Sequence, residues 1–127
     1  MYKIMLADDE GIVIDSLKFI IEKEFKDTCE VQYAKTGRSV IELAESFRPD
    51  VAVMDIQMPV MNGHEAASAI RAQADKRPDM GQIPIVALSA DAFAEDVRHA
   101  RSAGMNDHMS KPLEIETLVR MLKKWVS

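Results

Sequence analysis

The chain has one cysteine, Cys29, and therefore no internal disulfide. A lone thiol suits a reducing cytosol and reads as a packing residue rather than a nucleophile. Positive charge is in deficit: 16 Lys and Arg stand against 21 Asp and Glu, a net charge of −5 with the histidines neutral. That balance argues against nucleic acid or an anionic membrane as a direct partner, since both reward positive surface. No apolar run approaches the ~20 residues of a transmembrane helix, so no membrane insertion is expected. At the N-terminus only Ile4, Met5 and Leu6 precede the acidic run Asp8-Asp9-Glu10, so the apolar core of a secretory signal is missing and a cytoplasmic location is expected. Linkers, low-complexity tracts and long repeats are lacking too. What remains is 127 residues, 47% hydrophobic and 29% charged, the size and composition of a single globular domain over 1–127.

Three short apolar runs stand out: Lys3–Ala7, Val51–Met54 and Ile83–Leu88. Each is too short for a helix and rich in β-branched or bulky residues, which predicts strands buried on both faces. Val31–Ala34 and Asp107–Ser110 are weaker strand candidates, the second resting on its place between two helices. Between the runs the apolar period lengthens to about 3.6. Gly11–Phe25 carries a wide stripe of Val13, Leu17, Ile20 and Ile14, Ile21, Phe25, and Thr36–Phe47 carries Val40, Ile41, Leu43, Ala44 and Phe47 behind an N-cap at Thr36. Asn62 and Glu65 form a capping-box pattern ahead of Ala66, Ala67, Ile70 and Ala74. Phe93, Val97 and Ala100 predict a fourth helix stopped near Gly104, and Ile115, Leu118, Val119, Leu122 and Trp125 predict a fifth. The polar stretch Asp75–Gln82 reads as a surface loop. Five strand-then-helix units predict an α/β fold, a doubly wound five-stranded parallel sheet with helices on both faces.

Ligands of such sheets bind outside the carboxyl ends of the strands. Asp8, Asp9 and Glu10 follow the first strand, Asp55 the third, Ser89 and Asp91 the fourth, and Lys111-Pro112 the fifth. Taken singly, each has an ordinary explanation as a solvated loop, a turn or a cap residue. Their shared edge favours a site. Converging carboxylates repel one another unless a cation neutralises them, and a few hard oxygen ligands suit Mg²⁺, with Mn²⁺ as a substitute. Lysine and serine would contact a phosphate, and an aspartate there is a candidate nucleophile for an acyl-phosphate step.

These residues resemble the receiver domains of two-component response regulators, over essentially the whole chain from Asp8-Asp9 to Lys111-Pro112. The segment Met54–Gly63, MDIQMPVMNG, is the most specific part. The resemblance implies a flavodoxin-like (βα)5 sheet of strand order 2-1-3-4-5. It implies that Asp55 is the phosphoacceptor, charged from a histidine of a sensor kinase or a phosphotransfer protein. Asp8, Asp9, Asp55 and the backbone carbonyl of Gln57 would hold Mg²⁺. Lys111 would pair with the phosphate, and Ser89 and His108 would be the switch residues. Downstream partners are expected on the fourth helix, fifth strand and fifth helix. Such a domain catalyses its own phosphorylation and dephosphorylation without turning over an independent substrate. His108 departs from the tyrosine or phenylalanine common at the switch position, being smaller and able to carry charge. Met1–Leu17 resembles transcription-coupled regulators, whereas Asp75–Ser110 resembles receivers of hybrid sensor kinases. The alternative reading is therefore a degenerate or chimeric receiver acting only as an interaction module.

Two rivals from other classes fit less well. A haloacid-dehalogenase-type phosphatase needs a second carboxylate two residues after its nucleophile, where this chain has Gln57. An FMN carrier needs hydrogen-bond donors in the first loop, where Asp8-Asp9-Glu10 would repel a phosphate. The apolar excess of the first helix, including Ile14 and Ile21, reads either as core or as part of a docking face for the phosphodonor.

Overall fold

The computed structural model describes residues 2–25, 28–55, 63–72, 81–89, 103–110 and 115–126. Within them run β1 (Tyr2–Ala7), α1 (Gly11–Phe25), β2 (Cys29–Ala34), α2 (Gly37–Phe47), β3 (Val51–Asp55), α3 (Gly63–Ala72), β4 (Ile85–Ser89), β5 (Asp107–Ser110) and a C-terminal helix, α4 (Ile115–Val126). The strands form one parallel sheet in the order β2-β1-β3-β4-β5, as expected. The helix predicted around Phe93–Ala100 lies outside the described residues, as do Asn62, Ala74 and most of the loop Asp75–Gln82. No helix among the described residues is long and apolar enough to cross a membrane.

The central strands are buried on both faces, and their alternation divides the core in two. Met5, Ala7, Ala52, Met54, Ile85 and Ala87 face α2 and α3, meeting Val40, Ala44, Phe47, Ala66, Ala67 and Ile70. Ile4, Leu6, Val51, Val53, Val86 and Leu88 point the other way, against Ile14, Leu17 and Ile21 of α1 and Leu118 and Leu122 of α4. Ile14 and Ile21 are thus core. The exposed apolar residues of α1 are instead Ile12 and Phe19, at 81% and 68% exposure, two turns apart on the pole away from the sheet.

Local signals explain most boundaries. The Thr36 side chain accepts a hydrogen bond from the Ser39 amide at 3.1 Å, the N-cap that opens α2. Arg48 closes it in the left-handed region at φ 52°, its amide donating to the Ala44 carbonyl. β4 begins at Ile85, two residues later than the apolar run suggests. Pro84 has no N–H to give the ladder; its carbonyl accepts from the Ala52 amide at 2.8 Å, and regular pairing starts just after.

Candidate functional site

Register brings the acidic residues together. Ala7 of β1 pairs with Met54 of β3, so the next residues along, Asp8 and Asp55, come level on adjacent strands at the carboxyl edge. Asp55 is the last residue of β3 rather than the first beyond it, and pairs with Leu88 of β4. Both carboxylates are buried, Asp8 at 1% and Asp55 at 3% exposure, among otherwise apolar core residues. Asp8 extends the β1–β2 pairing, its amide donating to the Ala34 carbonyl at 3.2 Å, while its Oδ1 accepts from the Glu10 amide at 2.9 Å. That second bond turns the chain so that one carboxylate oxygen from each of Asp8, Asp9 and Glu10 lies within 4.8 Å of the others. All three are hard oxygen donors, and two of the residues are open to water, a donor set suited to a small divalent cation that keeps part of its hydration.

The resemblance implies Asp8, Asp9, Asp55 and the Gln57 carbonyl as ligands; the group of mutually close carboxylate oxygens found among the described residues is Asp8, Asp9 and Glu10, so Glu10 joins the first pair. It also places a cation at the rim. A Cβ on Gly11 would meet Lys35 Nζ at 3.4 Å, so this ammonium sits beside the start of α1, next to the acidic run. Nothing in the spacing of Lys35 announces that position, because it depends on the β1–β2 pairing of Ala7 with Ala34.

The remaining expected residues are placed in part. Ser89 ends β4, its backbone opposite Ser110 of β5. Gln57 and Lys111 lie outside the described residues, although Lys111 follows directly on Ser110. His108 pairs with Ala87 and is half-buried, while Met109 beside it is buried on the opposite face of the sheet. His108 therefore shares the sheet face of Met54 and Ala87.

Two fastenings hold the strand that carries His108. Asp107 Oδ2 accepts from Lys124 Nζ at 2.9 Å and from Trp125 Nε1 at 3.0 Å, tying β5 to α4. Burial works against the charge of this carboxylate, but the hydrogen bonds from Lys124, the His108 amide and Trp125, with the Lys124 charge, outweigh it and hold the group below the usual carboxylate range. The second fastening, around Arg71 and Asn106, was not legible in the sequence. Burial pushes the Cys29 thiol up, the direction opposite to an activated nucleophile and in keeping with a packing role.

The response regulator receiver domain family matches residues 4–123. The sensor protein GacS of Pseudomonas syringae pv. syringae is 35% identical over 96 residues, which is 76% of this chain but only 10% of GacS. The receiver domain of the sensor histidine kinase PA1611 from Pseudomonas aeruginosa PAO1, a crystal structure with magnesium coordinated in its active-site cleft, superposes with a TM-score of 0.85 at 29% identity, covering 98% of this chain and 97% of that one. The receiver domain of Saccharomyces cerevisiae Ssk1, co-crystallised with the histidine phosphotransfer protein Ypd1, matches with a TM-score of 0.89 at 25% identity, covering 98% of this chain and 88% of that one. With the strand order and the acidic edge already established, the chain belongs to the response regulator receiver domain family.

Proposed function

We propose that Asp55 takes a phosphoryl group from a histidine of a sensor kinase or phosphotransfer protein, and that the modified domain switches its partner-binding face. The observation that carries this reading is the register that sets buried Asp55 level with buried Asp8, at the head of a tight carboxylate cluster. Asp8, Asp9 and Asp55, with the Gln57 backbone carbonyl, would hold Mg²⁺. When bound, the ion supplies positive charge that offsets the carboxylates and the phosphoryl oxygens.

The chain's own residues do the rest. A carboxylate oxygen of Asp55 attacks phosphorus, the P–N bond to the donor imidazole breaks, and its electron pair stays with the ring nitrogen. Burial at the end of a central strand restricts that side chain, and positioning together with charge neutralisation is most of what phosphoryl transfer asks of a protein. Lys111 and the Ser89 hydroxyl take the new phosphate oxygens as charge-assisted and neutral donors. In hydrolysis, water attacks phosphorus and the P–O bond to Asp55 breaks, returning the carboxylate; Gln57 and Asp91, two positions after Asp55 and Ser89 in the sequence, would tune that rate.

Ile12 and Phe19, exposed on α1, the helix that begins just after the acidic run, would give the phosphodonor an apolar foothold. Output passes through the region of the predicted fourth helix, β5 and α4, with His108 reporting the state of Ser89. The test is to incubate the protein with a small acyl phosphate and Mg²⁺ and measure intact mass. One phosphoryl adduct is expected, absent from Asp55→Asn; no adduct on the native chain, or an undiminished one on the variant, overturns the reading.

A further inference from the structure

β5 is a strand whose register its own apolar burial barely specifies, although Asp107 at its start is tied to α4. It has four residues, Asp-His-Met-Ser, of which Met109 alone is buried in a core cluster among those described. Longer strands are held in register by burying one alternating face; a slip of one residue would shift this strand by about 3.3 Å and exchange its faces. Yet the pairing is definite: Val86 with Asp107, Ala87 with His108, Leu88 with Met109, Ser89 with Ser110.

The residues just before the strand fasten it directly to β4, which the Asp107 contacts with α4 do not. The Asn106 amide donates to the Ile85 carbonyl at 2.7 Å, and Asn106 Oδ1 accepts from the Ile85 amide at 2.9 Å. One residue thus holds both backbone groups of Ile85, the first residue of β4. The same Oδ1 accepts from Arg71 Nη2 at 2.8 Å, which fixes the orientation of the amide. Arg71, near the end of α3, reaches two further carbonyls: Nη2 donates to Ile83 at 2.7 Å and Nε to Gly104 at 2.9 Å. Its planar fork therefore spans the approaches to both β4 and β5. Ser68, one turn earlier on α3, donates to the Ala103 carbonyl at 3.3 Å and secures the same turn. Gly104 makes room: its φ is +97°, and a Cβ there would stand 2.6 Å from Arg71 Cγ.

We propose that Arg71 and Asn106 form a register latch that fixes where β5 starts against β4, and so where its far end delivers Lys111, making Arg71 a positioning residue for phosphoryl acceptance at Asp55. The proposal rests on the reading of Lys111 given above. The latch lies at the opposite end of β5 from the acidic edge, on the order of 13 Å away along a four-residue strand. Its effect on the site is carried along the strand.

The test compares Arg71→Met, which keeps the aliphatic stem, with Asn106→Ala and Asn106→Asp, the last retaining an oxygen for both the Ile85 amide and Arg71. Amide exchange of residues 107–110 and phosphorylation by a small acyl phosphate with Mg²⁺ are measured for each, alone and in a Lys111→Ala background. Loss of a charge-assisted hydrogen bond predicts about tenfold faster exchange and about tenfold slower phosphorylation in Arg71→Met and Asn106→Ala, with Asn106→Asp close to wild type. In the Lys111→Ala background the Arg71 change should slow phosphorylation no further. Equal fold-losses in both backgrounds, or β5 amides as protected as in wild type, overturn the latch. If Arg71→Met does not fold, the Asn106 pair decides. If the native chain takes no phosphoryl group, the reading of Lys111 fails, and amide exchange still judges whether the register is latched.

Discussion

Replacing Asp8 by Asn should stabilise the protein in chelator and destabilise it, relative to wild type, in Mg²⁺. Asp8 is 1% exposed, and its carboxylate oxygen lies within 4.8 Å of oxygens from both Asp9 and Glu10. Two unit charges at that separation repel by about 3.5 kcal/mol at an effective dielectric constant of 20 and by about 0.9 kcal/mol in water. Asp9 and Glu10 are open to solvent, so the lower figure governs, and removing the Asp8 charge relieves about 1.8 kcal/mol of repulsion over the two pairs. Asn keeps an Oδ1 to accept the Glu10 amide, so the turn now held at 2.9 Å survives. For a chain of this length that relief raises Tm by about 5 °C at low ionic strength, and salt shrinks the gain. Mg²⁺ at a hundred times its Kd stabilises the wild type by about 2.7 kcal/mol and the variant, short of one anionic ligand, by much less. Scanning calorimetry of both proteins in EDTA and in Mg²⁺ should therefore show the order of Tm values inverting. A variant that melts below wild type in EDTA, or equal Mg²⁺ shifts for both, would refute the assignment of a cation site to this cluster.

Asp107→Asn should lower stability at neutral pH by about 1 kcal/mol, through loss of the Lys124 pairing and weakening of the Trp125 bond. Because the folded carboxyl titrates below its unfolded value, its contribution is full above the ordinary aspartate pKa of about 3.9 and disappears as pH falls through the depressed value. Urea unfolding followed by Trp125 fluorescence should show the two proteins converging in acid; a gap independent of pH contradicts this. On α1, Ile21→Ala should cost about 2–5 kcal/mol, since Ile21 is fully buried, as denaturant titration will show. Phe19→Ser, at an exposed position, should leave stability within about 0.5 kcal/mol while slowing phosphotransfer from a phosphohistidine protein but not from a small acyl phosphate. An equal loss with both donors would remove the docking role.

Much of the fold could be read from short-range pattern. α1 and β5 take the predicted bounds, and β1 and β3 differ only by a residue at an end, because strands buried on both faces are unbroken apolar runs. The Thr36 cap was visible as a residue type in the right place. Asp8, Asp9 and Asp55 could be placed at one edge because parallel connectivity puts every strand's carboxyl end on the same side. The stripe on α1 included Ile14 and Ile21, but periodicity alone left open whether they served the core or a docking face, and it did not single out the exposed Ile12 and Phe19. What stayed hidden depends on tertiary contact between distant residues. Arg71 and Asn106 are 35 positions apart, and an arginine near the end of a helix ordinarily reads as a solvated cation favoured by the dipole. The late start of β4 likewise reflects Pro84, whose place beside Ala52 is fixed by the partner strand.

The central claim is that the buried carboxylate at the end of β3 is the phosphoacceptor. The most direct measurement is to treat the native chain with a small acyl phosphate in Mg²⁺, trap the acyl phosphate by borohydride reduction, digest, and locate the reduced residue by fragment mass. Reduction at Asp55 alone, lost when EDTA replaces Mg²⁺, is the predicted result. Reduction at Asp8, Asp9 or Glu10, or labelling of Asp55 to the same extent without a divalent cation, would contradict the account.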